Sequence, residues 1–253
     1  SDVYKRQENV PRWRIFVKPY MEWQVRHFVK RVDSCSTVST FIASEYEKNF
    51  GISPTLVVNA TPFHDLHPTD TPENGPIRMV HAGTCRPDRF AEIMIDAVAD
   101  LDGRYTLDMY LVNNGSDYFT QLSEKCRDIP NVNLHPGVPY DNLIDTLHRY
   151  DLGFHNLPPV NFNSRYALPN KFFDFVQARI GMVIGPSPEM VSRLEKYQLG
   201  RVAADFTTEA LREALAETTP AEVATWKQNA HRHARELSSE NVVQPWKDAV
   251  ETI

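Results

Sequence analysis

The stretch ALPNKFFDFVQARIGMVIGPSPEM, residues 167–190, decides how the rest of the chain is read. Pro169 suits the first position of a helix, where its missing N–H would have no partner anyway. LPNKFFDFVQA (168–178) then reads as a helix over a core face of Phe172, Phe173 and Phe175, and GMVIGP (181–186) as a short apolar strand. A helix of this length running into a buried strand is one unit of a parallel sheet.

Working outward, the same unit recurs. Strands are predicted at 77–82, 105–112, from 131, 151–157, 181–186 and 200–205. Helices are predicted between them at 88–101, 116–128, 140–150, 168–178 and 189–198. The alternation argues for an α/β fold: a Rossmann-like parallel sheet with helices on both faces and right-handed crossovers. A helical tail extends from Thr207 to Leu237, broken near Pro220, with a final helix from Val242 to Thr252. On the other side, PYMEWQVRHFVKRVDSC (19–35) is expected to be helical on an apolar stripe of Trp23, Phe28 and Val32. Ser39 is placed to cap a second helix, TFIASEYEKNF, which Gly51 ends. TLVV (55–58) reads as a strand. TPFHDLHPTDTPENGP (61–76) carries four prolines and little to bury, which is linker chemistry. The expected divisions are therefore 1–66 as the end of a second α/β domain, 67–76 as linker, 77–237 as the sheet domain and 238–253 as a helix packing back toward the N-terminal part.

In an open parallel sheet, ligands sit beyond the carboxyl ends of the strands. The loops there are GTCRPDR (83–89), NNGS (113–116), HPGVPYDN (135–142), NLPPVNFNSRYALPNK (156–171) and GPSPEM (185–190). The fourth is the longest. The N–H groups of Asn170, Lys171 and Phe172 are expected to point out of the positive end of their helix, which is a ready anion site. Lys171 adds a full charge where the dipole itself disfavours one, and an anion would resolve the conflict. Asp174 lies at i+3 on the same side, so a diphosphate at the helix end and a ribose against Asp174 fit the layout. The bland alternative is a surface ion pair between Lys171 and Asp174, worth about 0.2–0.5 kcal/mol. In GTCRPDR, Gly83 lets backbone approach a ligand, and Arg86 and Arg89 flank a helix start with groups suited to phosphate. The alternative there is that Asp88 and Glu92 neutralise both arginines. His155 ends a strand beside the long loop and reads equally as a pocket or a core histidine.

Dinucleotide, P-loop and hydrolase-elbow motifs are absent from the sequence. HDLH at 64–67 has zinc-like spacing without further ligands, and HRH at 231–233 reads as a solvated helix face. The 253 residues are 42% hydrophobic and 24% charged, with net charge −6. That balance disfavours a bulk grip on nucleic acid. Cys35, Cys85 and Cys126 are far apart, form no CxxC pair and fit free thiols in a reducing cytoplasm. The chain does not begin with Met, and SDVYKRQ joins awkwardly to the residues after it; the expectation is a fragment lacking its native N-terminal part.

Four stretches, in order, carry a family likeness: VDSCSTVSTFIASEYEKNFGISPTLVVNATPF, IRMVHAGTCRPDRFAEIMIDAVADL, NVNLHPGVPYDNLIDTLHRYDLGFHNL and ALPNKFFDFVQARIGMVIGPSPEM. Over roughly residues 30–215 the chain resembles a GT-B glycosyltransferase, nearest to glycosyltransferase family 4 and its donor domain. The resemblance implies retaining transfer of a sugar from a nucleotide diphosphate sugar to a glycan or lipid-linked acceptor, as in polysaccharide biosynthesis, with no metal or cofactor. It implies Arg89 and Lys171 as the catalytic cations on the diphosphate. It implies Gly83, Val138, Pro139, Tyr166, Leu168, Pro169, Asn170 and Asp174 as the donor-binding set, with Val138 and Pro139 near the base. The sequence departs from the family at two places. Asp174 stands where the ribose-holding glutamate is usual, and Tyr166 where a sugar-contacting glutamate is usual. The departures keep two other readings open, an inert module that kept the fold and a sugar-nucleotide epimerase. Because most of the acceptor domain is expected to be missing, the isolated chain is expected to bind nucleotide weakly and not to turn over. Such enzymes are cytoplasmic, some peripheral to the inner membrane, although no basic amphipathic stretch here demands it.

Overall fold

A computed structural model of the chain describes residues 10–251, apart from 102 and 114, with backbone alone at 249 and 250. SDVYKRQ, Asn114 of the NNGS turn and Thr252 lie outside the described residues.

The N-terminal part forms a small unit in which α1 (Lys18–Phe28), β1 (Ser36–Thr37), α2 (Thr40–Phe50) and β2 (Thr55–Leu56) succeed one another, with β1 and β2 paired in parallel. The Ser39 hydroxyl accepts the Ile42 N–H at 3.3 Å, and Gly51 closes α2 at φ 67°. Both ends of that helix show the side-chain and αL capping expected. The stripe expected to bury α1 does not do so. Trp23, Phe28 and Val32 are 51%, 47% and 51% exposed.

The main sheet contains β3 (Ile77–Cys85), β4 (Tyr105–Asn113), β5 (Val132–Pro136), β6 (Leu152–His155), β7 (Gly181–Ile184) and β8 (Gly200–Val202), all parallel, in the order β5-β4-β3-β6-β7-β8. The chain winds outward from β3 to β5, then returns to lay β6 against the other side of β3. That reversal opens a crevice above the carboxyl ends of β3 and β6. One face is covered by α3 (Ala91–Ala99), α4 (Tyr118–Cys126) and α9 (Thr208–Glu217), packed on Met79, Leu107 and Met109. The other is covered by α5 (Leu143–Leu147), α7 (Asn170–Gln177), α8 (Pro188–Tyr197) and α10 (Pro220–His233), packed on Val80, Met182 and Ile184. These near-continuous apolar strands are what a sheet buried on both sides requires.

Gly153 in β6 brings the layers close at the crevice. A Cβ there would lie 2.4 Å from the Phe175 ring, so only glycine lets α7 sit flush on the strand. The break expected near Pro220 is a capping box. Thr219 accepts the Glu222 N–H at 3.3 Å, and Glu222 accepts the Thr219 N–H at 2.9 Å. The long loop after β6 contains a short helix, α6 (Phe162–Tyr166), that periodicity does not reveal; Asn161 caps it by accepting the Ser164 N–H at 2.8 Å. After α10 come α11 (Ser239–Val242) and α12 (Gln244–Glu251), the latter in contact with β2.

The Pro-rich segment buries more than its composition suggests. Thr61 donates to Asp174 at 2.5 Å and His64 N–H to the Gln177 side chain at 3.1 Å. Phe63 lies between the guanidiniums of Arg179 and Arg235, at 5.5 and 4.0 Å. With no strand of its own, the segment satisfies its backbone against α7, α10 and α11. His231 of HRH likewise packs inward, accepting from Arg179 at 3.3 Å and stacking near His67. At the amino edge of β6, Asp151 is fully buried. It accepts from the backbone and guanidinium of Arg78 at 3.0–3.2 Å and from Lys227 at 2.9 Å. At the base of α8, Glu189 reaches across to α2, accepting from the Ser39 hydroxyl and the Phe41 N–H, both at 2.9 Å.

Candidate functional site

The crevice above β3 and β6 holds a cavity of about 110 Å³ lined by His81, Thr84, Arg89, His155, Asn156, Leu157, Pro169 and Lys171. Two cations therefore face one small hollow that no carboxylate lines. The sequence places them 82 residues apart; the strand reversal brings them together.

Each is freed of the neighbour that could have neutralised it. Arg86 pairs with Asp88 at 2.9 Å on the surface. Glu92 instead accepts from the Tyr118 hydroxyl. The surface neutralisation open to both arginines thus holds for Arg86 alone. Among the described residues the side chain of Arg89, in the 3-10 turn Pro87–Arg89, has no hydrogen-bonded or ionic partner; only its backbone N–H is engaged, donating to the Arg86 carbonyl at 3.0 Å. Lys171 does not pair with Asp174 either. Its Nζ packs against Gly83, where a Cβ would come within 2.9 Å of it, and Asp174, 5% exposed, is taken by Thr61.

Burial and the neighbouring Arg89 pull the Lys171 ammonium down to about 8, although Asp174 opposes them. Burial pushes the Asp174 carboxyl up, against the Thr61 hydrogen bond and Lys171. Burial and Lys171 push His81 down to about 3, so it is neutral. Its Nδ1 lies 2.9 Å from the Phe154 carbonyl, which assigns the proton to Nδ1 and leaves Nε2 an acceptor.

Pro169 occupies the cap position, φ −73° and ψ 150°, and Asn170 is the first helical residue. This corrects the expectation that Pro169 opens the helix. Its extended ψ aims the carbonyl back into the first turn, where it accepts the Phe172 N–H at 3.1 Å. Two N–H groups rather than three, those of Asn170 and Lys171, remain at the helix end.

Of the residues singled out in the sequence, Arg89, Lys171 and Pro169 line the cavity, and Gly83 supports Lys171 from below. Asn170 is exposed at the mouth of the helix. Leu168 is 6% exposed within the core that carries Phe172 and Phe175. Tyr166 stacks on Phe41 at 5.0 Å and meets Phe162 at 4.9 Å, turned toward α2. Val138 and Pro139 come after β5, two strands away from the cavity, in the loop before Tyr140. His81, Thr84, Asn156 and Leu157 also line the cavity, with no local sequence signal pointing to them. His81 is hidden inside a strand run; its neighbour across the sheet, β6, gives it meaning only in three dimensions. A more apolar hollow of about 370 Å³ beside Val25, Phe28 and Tyr46 gathers no titratable group but Cys35 and Tyr46. Among the described residues no three His, Cys, Asp or Glu side chains are arranged to hold a metal ion. No described helix is long and apolar enough to cross a membrane.

Gly83→Ala tests the packing of Lys171. The added methyl meets mainly the flexible end of that side chain, with His81 Nε2 next at 3.3 Å, so the melting temperature should move by no more than about 2 °C. Lys171 should swing away, and any anion that Lys171 holds, pyrophosphate as the probe, should bind about tenfold more weakly, the scale of one charge-assisted hydrogen bond. Thermal melts and calorimetric titration check the two halves.

No family profile and no curated protein matches the sequence. Solved structures do match the fold. TarM of S. aureus, crystallised with fondaparinux, α-GlcNAc-glycerol and UDP, superposes with a TM-score of 0.72 at 10% identity, over 91% of this chain and 46% of TarM. HepE of Anabaena, crystallised with UDP and glucose, gives 0.72 at 12% identity over 92% of this chain and 67% of HepE. WaaG, a glycosyltransferase of lipopolysaccharide biosynthesis, gives 0.61 at 14% over 85% and 61%. The chain spans about half the length of TarM. A parallel sheet reversing between β3 and β6, clothed in helices on both faces, gives this chain the Rossmann-like fold of GT-B glycosyltransferase domains.

Proposed function

We propose that this chain binds a nucleotide diphosphate sugar and is part of a glycosyltransferase that passes the sugar, with retention, to a glycan or lipid-linked acceptor. The carrying observation is the pairing of Arg89 and Lys171 across one cavity with no anion of the protein between them. Like charges brought together in a half-buried site raise the free energy of the empty protein, and a diphosphate lowers it.

Glycosyl transfer needs the departing nucleoside diphosphate stabilised as its bond to the sugar breaks. Arg89, Lys171 and the N–H groups of Asn170 and Lys171 are fixed in place before reaction, so they supply that charge without reorganising. They fill the part a divalent metal would otherwise play, and no metal is required. Thr61 occupies Asp174 Oδ1 and leaves Oδ2 for a ribose hydroxyl. The bound UDP in the TarM and HepE structures supports the same class of donor.

Calorimetric titration with UDP, GDP and ADP, with and without EDTA, tests this reading. One of the three should bind in the micromolar range, indifferent to EDTA and weakened by added salt. Absence of binding by all three would overturn it in favour of an inert module.

A further inference from the structure

We propose that His155 and Asn156 form a hydroxyl-binding subsite that receives the sugar ring of the donor, resting on the nucleotide-sugar reading above. His155 is 5% exposed, and neither of its ring nitrogens has a partner among the described residues. Asn156 is 2% exposed; its Nδ2 donates to the Phe206 carbonyl at 3.1 Å, while its Oδ1 has no partner. Both side chains line the cavity that holds Arg89 and Lys171.

Leaving such groups buried and unpaired is costly, so native proteins seldom do it without use. Here their orientations are fixed. The His155 ring lies nearly parallel to His81, 5.7 Å centre to centre and 12° apart, and His81 is itself held by the Phe154 carbonyl. Gly185 makes room for the Asn156 oxygen, since a Cβ there would come within 2.3 Å of it.

The hydrogen-bonding character is specific. Burial, Lys171 and Arg89 keep His155 uncharged, so its ring offers one donor and one acceptor. Asn156 Oδ1 adds a second acceptor. Phosphate oxygens accept only and satisfy one of these three; neighbouring hydroxyls of a sugar both donate and accept, and satisfy all of them. The cavity therefore divides into a cationic side for the diphosphate and a neutral polar side for the sugar it carries.

The test compares each of UDP, GDP and ADP with its glucose and N-acetylglucosamine conjugates by calorimetry, on wild type, His155→Leu and His155→Gln. For the nucleotide that binds, one conjugate should bind wild type about tenfold tighter than the nucleotide alone. His155→Leu should bring that ratio to about one while leaving nucleotide affinity unchanged, and His155→Gln, which keeps a donor and an acceptor, should restore part of it. An unchanged ratio in His155→Leu, an equal weakening of nucleotide and conjugate, or no sugar-dependent gain in wild type would each overturn the subsite. Failure of every nucleotide to bind wild type would instead remove the diphosphate reading beneath it.

Discussion

Lys171→Met should make the empty protein more stable and a much weaker binder of the nucleoside diphosphate proposed above. Methionine keeps much of the length of the side chain and removes its charge, which burial and Arg89 disfavour. The half-buried position calls for a discount for solvent screening, so the gain at pH 7 is on the order of 1–2 kcal/mol, or roughly 2–8 °C in a chain of this size. The sign comes from linkage. Lys171 titrates near 8 when folded and near 10.5 when unfolded. Below pH 8 both states carry the proton and the folded protein bears the full cost. Between these values the unfolded chain binds more protons, so wild-type stability rises with pH. The advantage of Lys171→Met should therefore be largest below pH 8 and fade above about pH 10. Binding runs the other way. Loss of the charge-assisted contact should weaken the diphosphate about 10–100-fold, and wild-type affinity should itself decline as pH rises past 8. Melts across pH 6–10 with and without ligand read both effects. A variant that neither gains stability nor loses binding would show that Lys171 does not face the anion. Sites of this kind commonly trade stability for function.

The second large effect lies beneath the site. Asp151→Ala should cost about 3–5 kcal/mol, because it strands the fully buried ammonium of Lys227 and half-frees Arg78. Burial raises the Asp151 carboxyl, but hydrogen bonds from Arg78 and Lys227 outweigh it and hold the group below its ordinary range. A depressed carboxylate contributes stability that is present above its unfolded value near 3.8 and lost as pH falls through the folded one. The double variant Asp151→Leu/Lys227→Met, which removes both buried charges, should recover most of the loss; urea denaturation distinguishes the two. Because Asp151 leads directly into β6, the single variant should also loosen His155 at the far end of that strand.

Much of this architecture was legible in the residues. The apolar strands and the helices between them have periods of two and 3.6 that any chain must obey to bury one face or both. The alternation therefore announced a parallel sheet, and the carboxyl-end loops marked where a ligand is expected. Lys171 stood out because positive charge at a helix start is locally unfavourable, and Arg89 because a guanidinium beside a glycine turn suits phosphate. The exposed stripe of α1 and the packed Pro-rich segment were not legible. Whether an apolar face is covered, and whether a polar segment finds partners, depends on neighbours distant in sequence. Tyr166, judged by its position in a motif, likewise takes its orientation from Phe41, 125 residues earlier.

The sequence by itself determined the class of fold and marked Arg89 and Lys171 as candidates, because these depend on local periodicity and local electrostatics. Only the tertiary structure decided that Arg86 and Glu92 are spent on Asp88 and Tyr118, that Thr61 claims Asp174, and that His81, His155 and Asn156 complete the cavity. The return of the chain from β5 to β6 sets β3 and β6 side by side, and no local rule fixes which charges that reversal brings to one cavity.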